Sequence, residues 1–271
     1  MTALLALASA ISFGTGDFLG GIASHRLDAR RVTLLAKSVS LVLMPIAALV
    51  VSGPPTTAGL AAGLAAGVVS PVALSAFYAA LARGPMSVVS PLTAVFVAAV
   101  PLTTAIIGGE RPGVLVWCGV IVAFPAVVLM SASGGASSRP AGLTLALALV
   151  AGGGFGTTFA LFGTVPDGAG LWPVAWSNVV SIPVLLLMVR GTPIGPAPRA
   201  AVGAGVLDAA GNGTFILAAQ NGSLVLTAML GSLYPAMSIV LARVVLAERP
   251  LRPQIIGMAL ALGAVVLLSA G

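Results

Sequence analysis

The sequence predicts an all-α membrane protein in which ten transmembrane helices form two inverted five-helix repeats. Three observations predict it: a composition too apolar for water, breaks that cut the chain into ten apolar segments, and a register relating the two halves. Hydrophobic residues make up 59% of the 271 residues, charged residues only 7%, and the mean hydropathy is +1.15. A soluble domain carries about 25% charged residues, so this chain lacks the polar surface to cover a globule in water and its solvent is lipid. The net charge of +6 does not point to nucleic acid, because no Lys/Arg run or interleaved aromatics accompany it. In a membrane protein such residues set orientation instead. The single cysteine, Cys118, and single histidine, His25, exclude an internal disulfide and a Cys/His metal cluster. No cofactor is expected.

The predicted spans are 2–24, 32–52, 57–82, 86–108, 113–132, 141–163, 171–190, 199–220, 223–246 and 252–270. Each approaches the ~20 residues that cross a ~30 Å hydrocarbon core. Between them lie short Gly/Pro/Ser or charged turns such as "SHRLDARR", "SGPPTT", "GGERPG", "QNGS" and "AERPLRP", of the length that joins adjacent packed helices. Helices rather than barrel strands follow from span length and from the lack of two-residue alternation. The N-terminal stretch has no basic n-region and stays apolar past residue 20, so it reads as a retained first span. Small-residue runs such as "AAGLAAGVV" at 61–69 and "AGGGFGTTF" at 151–159 suit close helix packing in lipid.

The repeat is legible in register. Glu110, Arg111 and Pro112 recur as Glu248, Arg249 and Pro250, an offset of 138, and "AVVLMSA" at 126–132 recurs as "AVVLLSA" at 264–270. "GVVS" at 67–70 matches "GVLD" at 205–208, Phe77 matches Phe215, and Phe96 matches Tyr234. "FGT" at 13–15 matches "FGT" at 155–157 at an offset of 142, the loops absorbing the four-residue difference. The predicted units are residues 1–132 and 141–271, joined by a loop at 133–140. Five is odd, so the second unit enters from the opposite face; inverted repeats of this kind are a signature of secondary transporters.

Ten spans, a duplicated five-helix unit, a Glu-Arg-Pro turn before the last helix of each unit and Phe-Gly in the first helix of each resemble the drug/metabolite transporter superfamily, and most of all its EamA-type members. The resemblance covers essentially the whole chain. It implies export or exchange of small metabolites, amino acids or drug-like compounds through a central cavity formed mainly by helices 1, 3, 4, 6, 8 and 9, with helices 5 and 10 outside.

Charge predicts an orientation. Of the 12 Lys and Arg residues, only Arg111 falls on the face that holds the termini. The other eleven fall opposite, which places the termini outside the cytoplasm. The family resemblance implies cytoplasmic termini, so the two expectations conflict here.

Charged groups inside a span are costly and each is a candidate site. Asp17 in helix 1 and Lys37 in helix 2 lie at similar depths, roughly 12 and 9 Å from one face at 1.5 Å per residue. They are expected to pair, either as a staple between helices or with Asp17 as a protonatable or cation-binding group. Asp208 in helix 8 lies roughly 13 Å deep, with Asn212 one turn on and Thr214 beyond; its repeat equivalent is Ser70. A lone carboxylate there suits proton coupling, and the structural alternative is a carboxylate satisfied by helix-packing hydrogen bonds or by Arg243. Phe96 and Tyr234 neighbour Pro101 and Pro235, which are either gating kinks or plain packing. Arg243 can snorkel to the interface, His25 reads as a solvated loop residue, and Trp172 and Trp176 as interfacial anchors.

These features favour a secondary transporter of a small polar or amphipathic metabolite working by alternating access, with proton coupling as one form of it. The partners expected are a small-molecule substrate, the lipid bilayer and protons. A membrane-embedded enzyme would need a convergent acid/base, metal or nucleophile set that these residues do not supply. A non-transporting membrane subunit is the remaining alternative. The chain has no Walker motif for ATP-driven transport.

Overall fold

The computed structural model describes residues 2–51, 53–107, 113–130, 142–193, 195–221, 234–247 and 251–270. Among them the fold is all-helical: α1 (Thr2–Ser24), α2 (Ala29–Val50), α3 (Thr57–Leu81), α4 (Met86–Ile107), α5 (Val114–Met130), α6 (Gly142–Gly163), α7 (Trp172–Met188), α8 (Arg199–Gln220), α9 (Tyr234–Val245) and α10 (Arg252–Ala270). By length and composition α1, α2, α3, α6 and α8 are each sufficient to cross a membrane. Both Glu-Arg-Pro turns, and the predicted start of helix 9 at 223–233, lie outside the described residues.

Boundaries follow local chemistry. α2 begins at Ala29, three residues before the predicted start, because the Asp28 carboxylate accepts the Arg30 backbone N–H at 2.9 Å and caps the helix. That cap draws Arg30 and Arg31 into the first turn. The Arg30 guanidinium also donates to both Asp28 oxygens, at 3.0 and 3.1 Å, and this hydrogen bonding holds the Asp28 carboxyl below its usual range. Thr56 caps α3 by accepting the Gly59 N–H at 3.0 Å. α7 begins at Trp172 with proline in its first turn, where no N–H is needed.

Small residues set the packing. A Cβ on Gly67 of α3 would stand 2.5 Å from the Ser177 carbonyl and 2.7 Å from Val180 Cβ on α7. A Cβ on Gly205 of α8 would stand 2.6 Å from the Ala36 carbonyl and 2.8 Å from Val39 Cβ on α2. Gly67 and Gly205 are repeat equivalents, so the seams match Ala36 to Ser177 and Val39 to Val180, an offset of 141 for helices that sequence comparison alone leaves unaligned. The same exchange runs through the bundle. α1 packs on α8 as α6 packs on α3, α2 on α8 as α7 on α3, and α9 on α1 as α4 on α6, while α5 packs on α10. A two-repeat architecture fits this pattern.

Large apolar side chains such as Leu4, Leu49, Val50, Val114 and Ile121 are turned outward, as suits a lipid-facing surface. The two ends of the bundle differ. At the end holding Thr2, the Trp172 indole donates to the Gly53 carbonyl at 3.0 Å, and Gln220 exchanges two 3.0 Å hydrogen bonds with Gly170. The Trp172 and Trp176 rings stack beside this seam at 6.1 Å. At the opposite, basic end a cavity of about 870 Å³ opens among Ser24, Arg26, Arg30, Ser75, Arg83 and Leu147.

Candidate functional site

The charged residues inside the bundle converge on its centre. Lys37 of α2 and Asp208 of α8 are both buried, and the Lys37 ammonium donates to Asp208 Oδ2 at 2.9 Å. Ser40, one turn beyond Lys37, donates to the same oxygen at 3.0 Å and also approaches the Gly205 carbonyl at 3.1 Å. Asn212, one turn beyond Asp208, donates to Oδ1 at 3.1 Å. Each carboxylate oxygen therefore has a donor, as a buried charge requires. The helices can approach closely enough for this because Gly205 presents no side chain to α2.

Two expectations are corrected here. Lys37 pairs with Asp208 rather than Asp17, because the Gly205 seam fixes α2 against α8 and carries the lysine to the far helix. Depth alone did not distinguish the two carboxylates, since both lie at similar levels. Asp208 is consequently not a lone carboxylate, and its partner is Lys37 rather than Arg243, which is exposed near the end of α9.

Asp17 is left without a hydrogen-bond or ion-pair partner among the described residues. It faces a small central cavity of about 50 Å³ lined by Phe13 and Asp17 of α1, Lys37, Ser70 and Leu74 of α3, Val97 of α4, Phe155, Thr158 and Phe159 of α6, Asp208, Asn212 and Tyr234 of α9. The volume holds a few waters. Aromatic rings surround it: Phe159 stacks on Phe215 at 4.7 Å and meets Phe13 at 6.0 Å, and Phe155 meets Phe77 edge-on at 5.7 Å. The Tyr234 hydroxyl is buried without a hydrogen-bond partner among the described residues.

Of the candidates read from sequence, Asp17, Lys37, Asp208, Asn212 and Tyr234 line this one cavity. Thr214 does not; its hydroxyl bonds the Ala210 carbonyl of its own helix at 2.7 Å on another face of α8. Phe96 packs toward the α4–α6 seam at Gly152 and the cluster around Leu92 and Val95. The cavity also includes α2 through Lys37, a helix absent from the expected set. Sequence reasoning missed Ser40 and Phe159 as site residues. Ser40 was signalled only by lying three residues after Lys37, and Phe159 by extending the 142-residue "FGT" offset from Phe13 to Asp17.

An uncharged copy of the ion-pair site lies between α3 and α7. By the offsets above, Lys37, Ser40, Gly205 and Asp208 correspond to Asn178, Ser181, Gly67 and Ser70. Ser181 approaches the Gly67 carbonyl at 3.2 Å and lies 3.5 Å from the Ser70 hydroxyl, as Ser40 does toward Gly205 and Asp208. One geometry thus carries charge in one copy and hydroxyls in the other.

Comparison with known proteins bears directly on this duplicated cavity. The model of the EamA-like transporter family matches twice, over residues 1–132 and 141–270. The chain belongs to that family. No curated protein matches it by sequence. A solved structure titled "Crystal structure of protein" is similar to it, with a TM-score of 0.63 at 16% identity over 96% of this chain and 95% of that one. At that identity the likeness concerns the fold alone. Membership of the EamA-like family makes the chain an integral membrane protein of a transporter family, with lipid around it and a small molecule as its partner.

Proposed function

We infer that the chain is a secondary transporter that exports or exchanges a small polar or amphipathic metabolite by alternating access at the central cavity. Ten membrane spans arranged as inverted units, 1–132 and 141–271 with 133–140 between them, supply the two-state geometry. The observation that carries the reading is the cavity itself: polar groups from both units face one another at mid-bundle, beneath a wide opening at the basic end and a hydrogen-bonded seam at the other. A cavity of about 50 Å³, with room for little more than water, below an 870 Å³ vestibule, suits a state open at one end with its binding site contracted.

Coupling to protons is assigned to Asp17. An isolated carboxylate at this depth costs about 3 kcal/mol on insertion scales, and proton uptake removes that cost. Asp208 is already satisfied by Lys37, Ser40 and Asn212. An enzymatic reading is weaker, because the single histidine, His25, sits in the exposed loop before α2, away from both aspartates.

The test begins with metabolite-induced thermal stabilisation of the detergent-solubilised protein, followed by counterflow in proteoliposomes. Saturable exchange of a stabilising compound is expected, with Asp17→Asn losing accumulation driven by a pH gradient. Absence of protein-dependent flux for every stabilising compound would refute transport. Undiminished gradient-driven accumulation by Asp17→Asn would refute the coupling role.

A further inference from the structure

Phe13 and Asp17 sit one turn apart on α1, and both face the central cavity. Phe155 and Phe159, one turn apart on α6, are their repeat equivalents at an offset of 142 and face the same cavity. Symmetry would place four aromatic rings here, and one is replaced by a carboxylate. Phe215 backs Phe159 by stacking at 4.7 Å, while Phe13 and Phe159 approach within 6.0 Å, so the ring positions are supported from behind. The described charges in the lining are Asp17, Asp208 and Lys37. Lys37 and Asp208 neutralise one another at 2.9 Å, leaving one negative charge with no partner among the described residues. The faces of phenyl rings carry negative electrostatic potential. Rings that turn their faces to an occupant therefore add to the negative potential of the Asp17 carboxylate.

Resting on the transporter reading above, we propose that the substrate is a compact organic cation, a substituted ammonium seated between Phe13, Phe155 and Phe159, which exchanges with a proton at the Asp17 carboxylate. A neutral or anionic solute of the same shape gains nothing from the carboxylate, and an anion is repelled by it. A cation gains the ion pair and the ring faces in a site shielded from water, where cation–π contact is strongest. On binding, the ammonium displaces the proton from Asp17 to water, and the reverse exchange discharges the substrate. The groups facing Asp17 from the elements packed around it are Lys37 on α2, Tyr78 on α3, Asp208 on α8 and Tyr234 on α9. With Lys37 and Asp208 paired, Asp17 is the group that changes charge when a cation enters.

Three probes share a trimethyl body and differ in charge: tetramethylammonium, tert-butanol and pivalate. Their binding to the full chain in detergent is measured by calorimetry from pH 5 to 9, in buffers of differing ionisation heat. Tetramethylammonium is expected to bind at least tenfold more tightly than tert-butanol at pH 8, and pivalate not at all. Below the pH at which Asp17 protonates, its Kd should rise about tenfold per pH unit, with one proton released per cation bound. Asp17→Asn should abolish both the selectivity and the pH slope. Phe159→Leu, which keeps an apolar wall, should weaken the cation about tenfold without changing the slope, and it carries the test should Asp17→Asn not fold. Equal affinity for tert-butanol, or an unchanged pH slope in Asp17→Asn, overturns the proposal. Two further outcomes separate it from the transport reading. Binding with the expected slope but no counterflow sinks transport and leaves the cation site standing. Protein-dependent flux of a neutral or anionic compound with no tetramethylammonium binding does the reverse.

Discussion

Removing one member of the Lys37–Asp208 pair should cost far more than removing both. The pair is buried, with the ammonium and carboxylate side chains 6% and 11% exposed and 2.9 Å apart. Losing one partner of a buried ion pair typically costs 3–5 kcal/mol, because the survivor is left charged and desolvated, whereas replacing both with apolar or neutral groups is often nearly neutral. The two single changes are not equivalent. In Lys37→Met, Asp208 keeps the Ser40 and Asn212 hydrogen bonds and can take up a proton. In Asp208→Asn, the ammonium retains no acidic partner at that position. Asp208→Asn is therefore expected at the upper end, about 4–5 kcal/mol, and Lys37→Met nearer 3, each of which is a large share of a typical folding free energy. The double variant should lose about 0–2 kcal/mol, so the cycle yields a coupling of several kcal/mol. Denaturant unfolding in mixed micelles, followed by tryptophan fluorescence and far-UV dichroism, measures all four corners. A double variant that loses the sum of the single losses would show that the two groups do not interact, and the central geometry argued here would fall with that result.

Three further outcomes are expected. Gly205→Ala and Gly67→Ala each place a Cβ within 2.6 Å of a carbonyl on the facing helix and should each cost roughly 1–3 kcal/mol by overpacking; unchanged thermal midpoints would refute the two matched seams. Asp28→Asn keeps a capping oxygen and should weaken the start of α2 by up to about 1 kcal/mol at neutral pH, through the partly exposed Arg30 ion pair. Because the Arg30 hydrogen bonds hold the Asp28 carboxyl below the ordinary aspartate range when folded, its contribution is complete above that range and is lost as pH falls through the folded value, so the wild-type advantage should shrink in acid; an advantage that grows on acidification would contradict this sign. A reporter fused after Gly271 should signal an extracytoplasmic terminus, because ten spans counted from the sequence would put Arg111 alone of the 12 basic residues on the terminal face; an active cytoplasmic fusion would restore the orientation expected from the family.

The architecture was largely legible because lipid imposes it. Span length, turn residues and a register holding Glu-Arg-Pro are one-dimensional signals, and α8 and α10 begin where the apolar pattern predicts. The apolar pattern starts α2 three residues late, because Arg30 and Arg31 break it although a capped first turn admits them. The site was legible in membership and not in pairing. Burial of charge in an apolar span picks out Asp17, Lys37 and Asp208, since each is costly and demands a reason. Which carboxylate meets Lys37 depends on the rotation of α2 against its neighbours. That rotation is set by Gly205 meeting Ala36 and Val39, a contact between residues more than 160 positions apart that periodicity does not encode. Phe159 was overlooked for a related reason: among so many apolar residues, only its equivalence to Asp17 distinguishes it from packing.

The uncharged copy of the ion-pair site bears on how the two halves could exchange conformations. At two equivalent contacts a serine from the second helix of one half approaches a glycine carbonyl in the third helix of the other, Ser40 at Gly205 and Ser181 at Gly67, at 3.1 and 3.2 Å. If the halves were chemically identical, the two states of an alternating-access cycle would mirror one another and neither seam would resist opening more than its counterpart. Lys37 and Asp208 remove that equality. Parting α2 from α8 separates opposite charges in a medium of low dielectric, whereas parting α7 from α3 separates two hydroxyls 3.5 Å apart. The first costs several kcal/mol and the second about one. Motion that opens the cavity should therefore carry α2 and α8 as one body and fall on the α3–α7 side, where Gly67 meets Ser177 without charge. That side adjoins the 870 Å³ opening at the basic end, which Ser75 of α3, Arg83 in the turn after it and Met188 of α7 line.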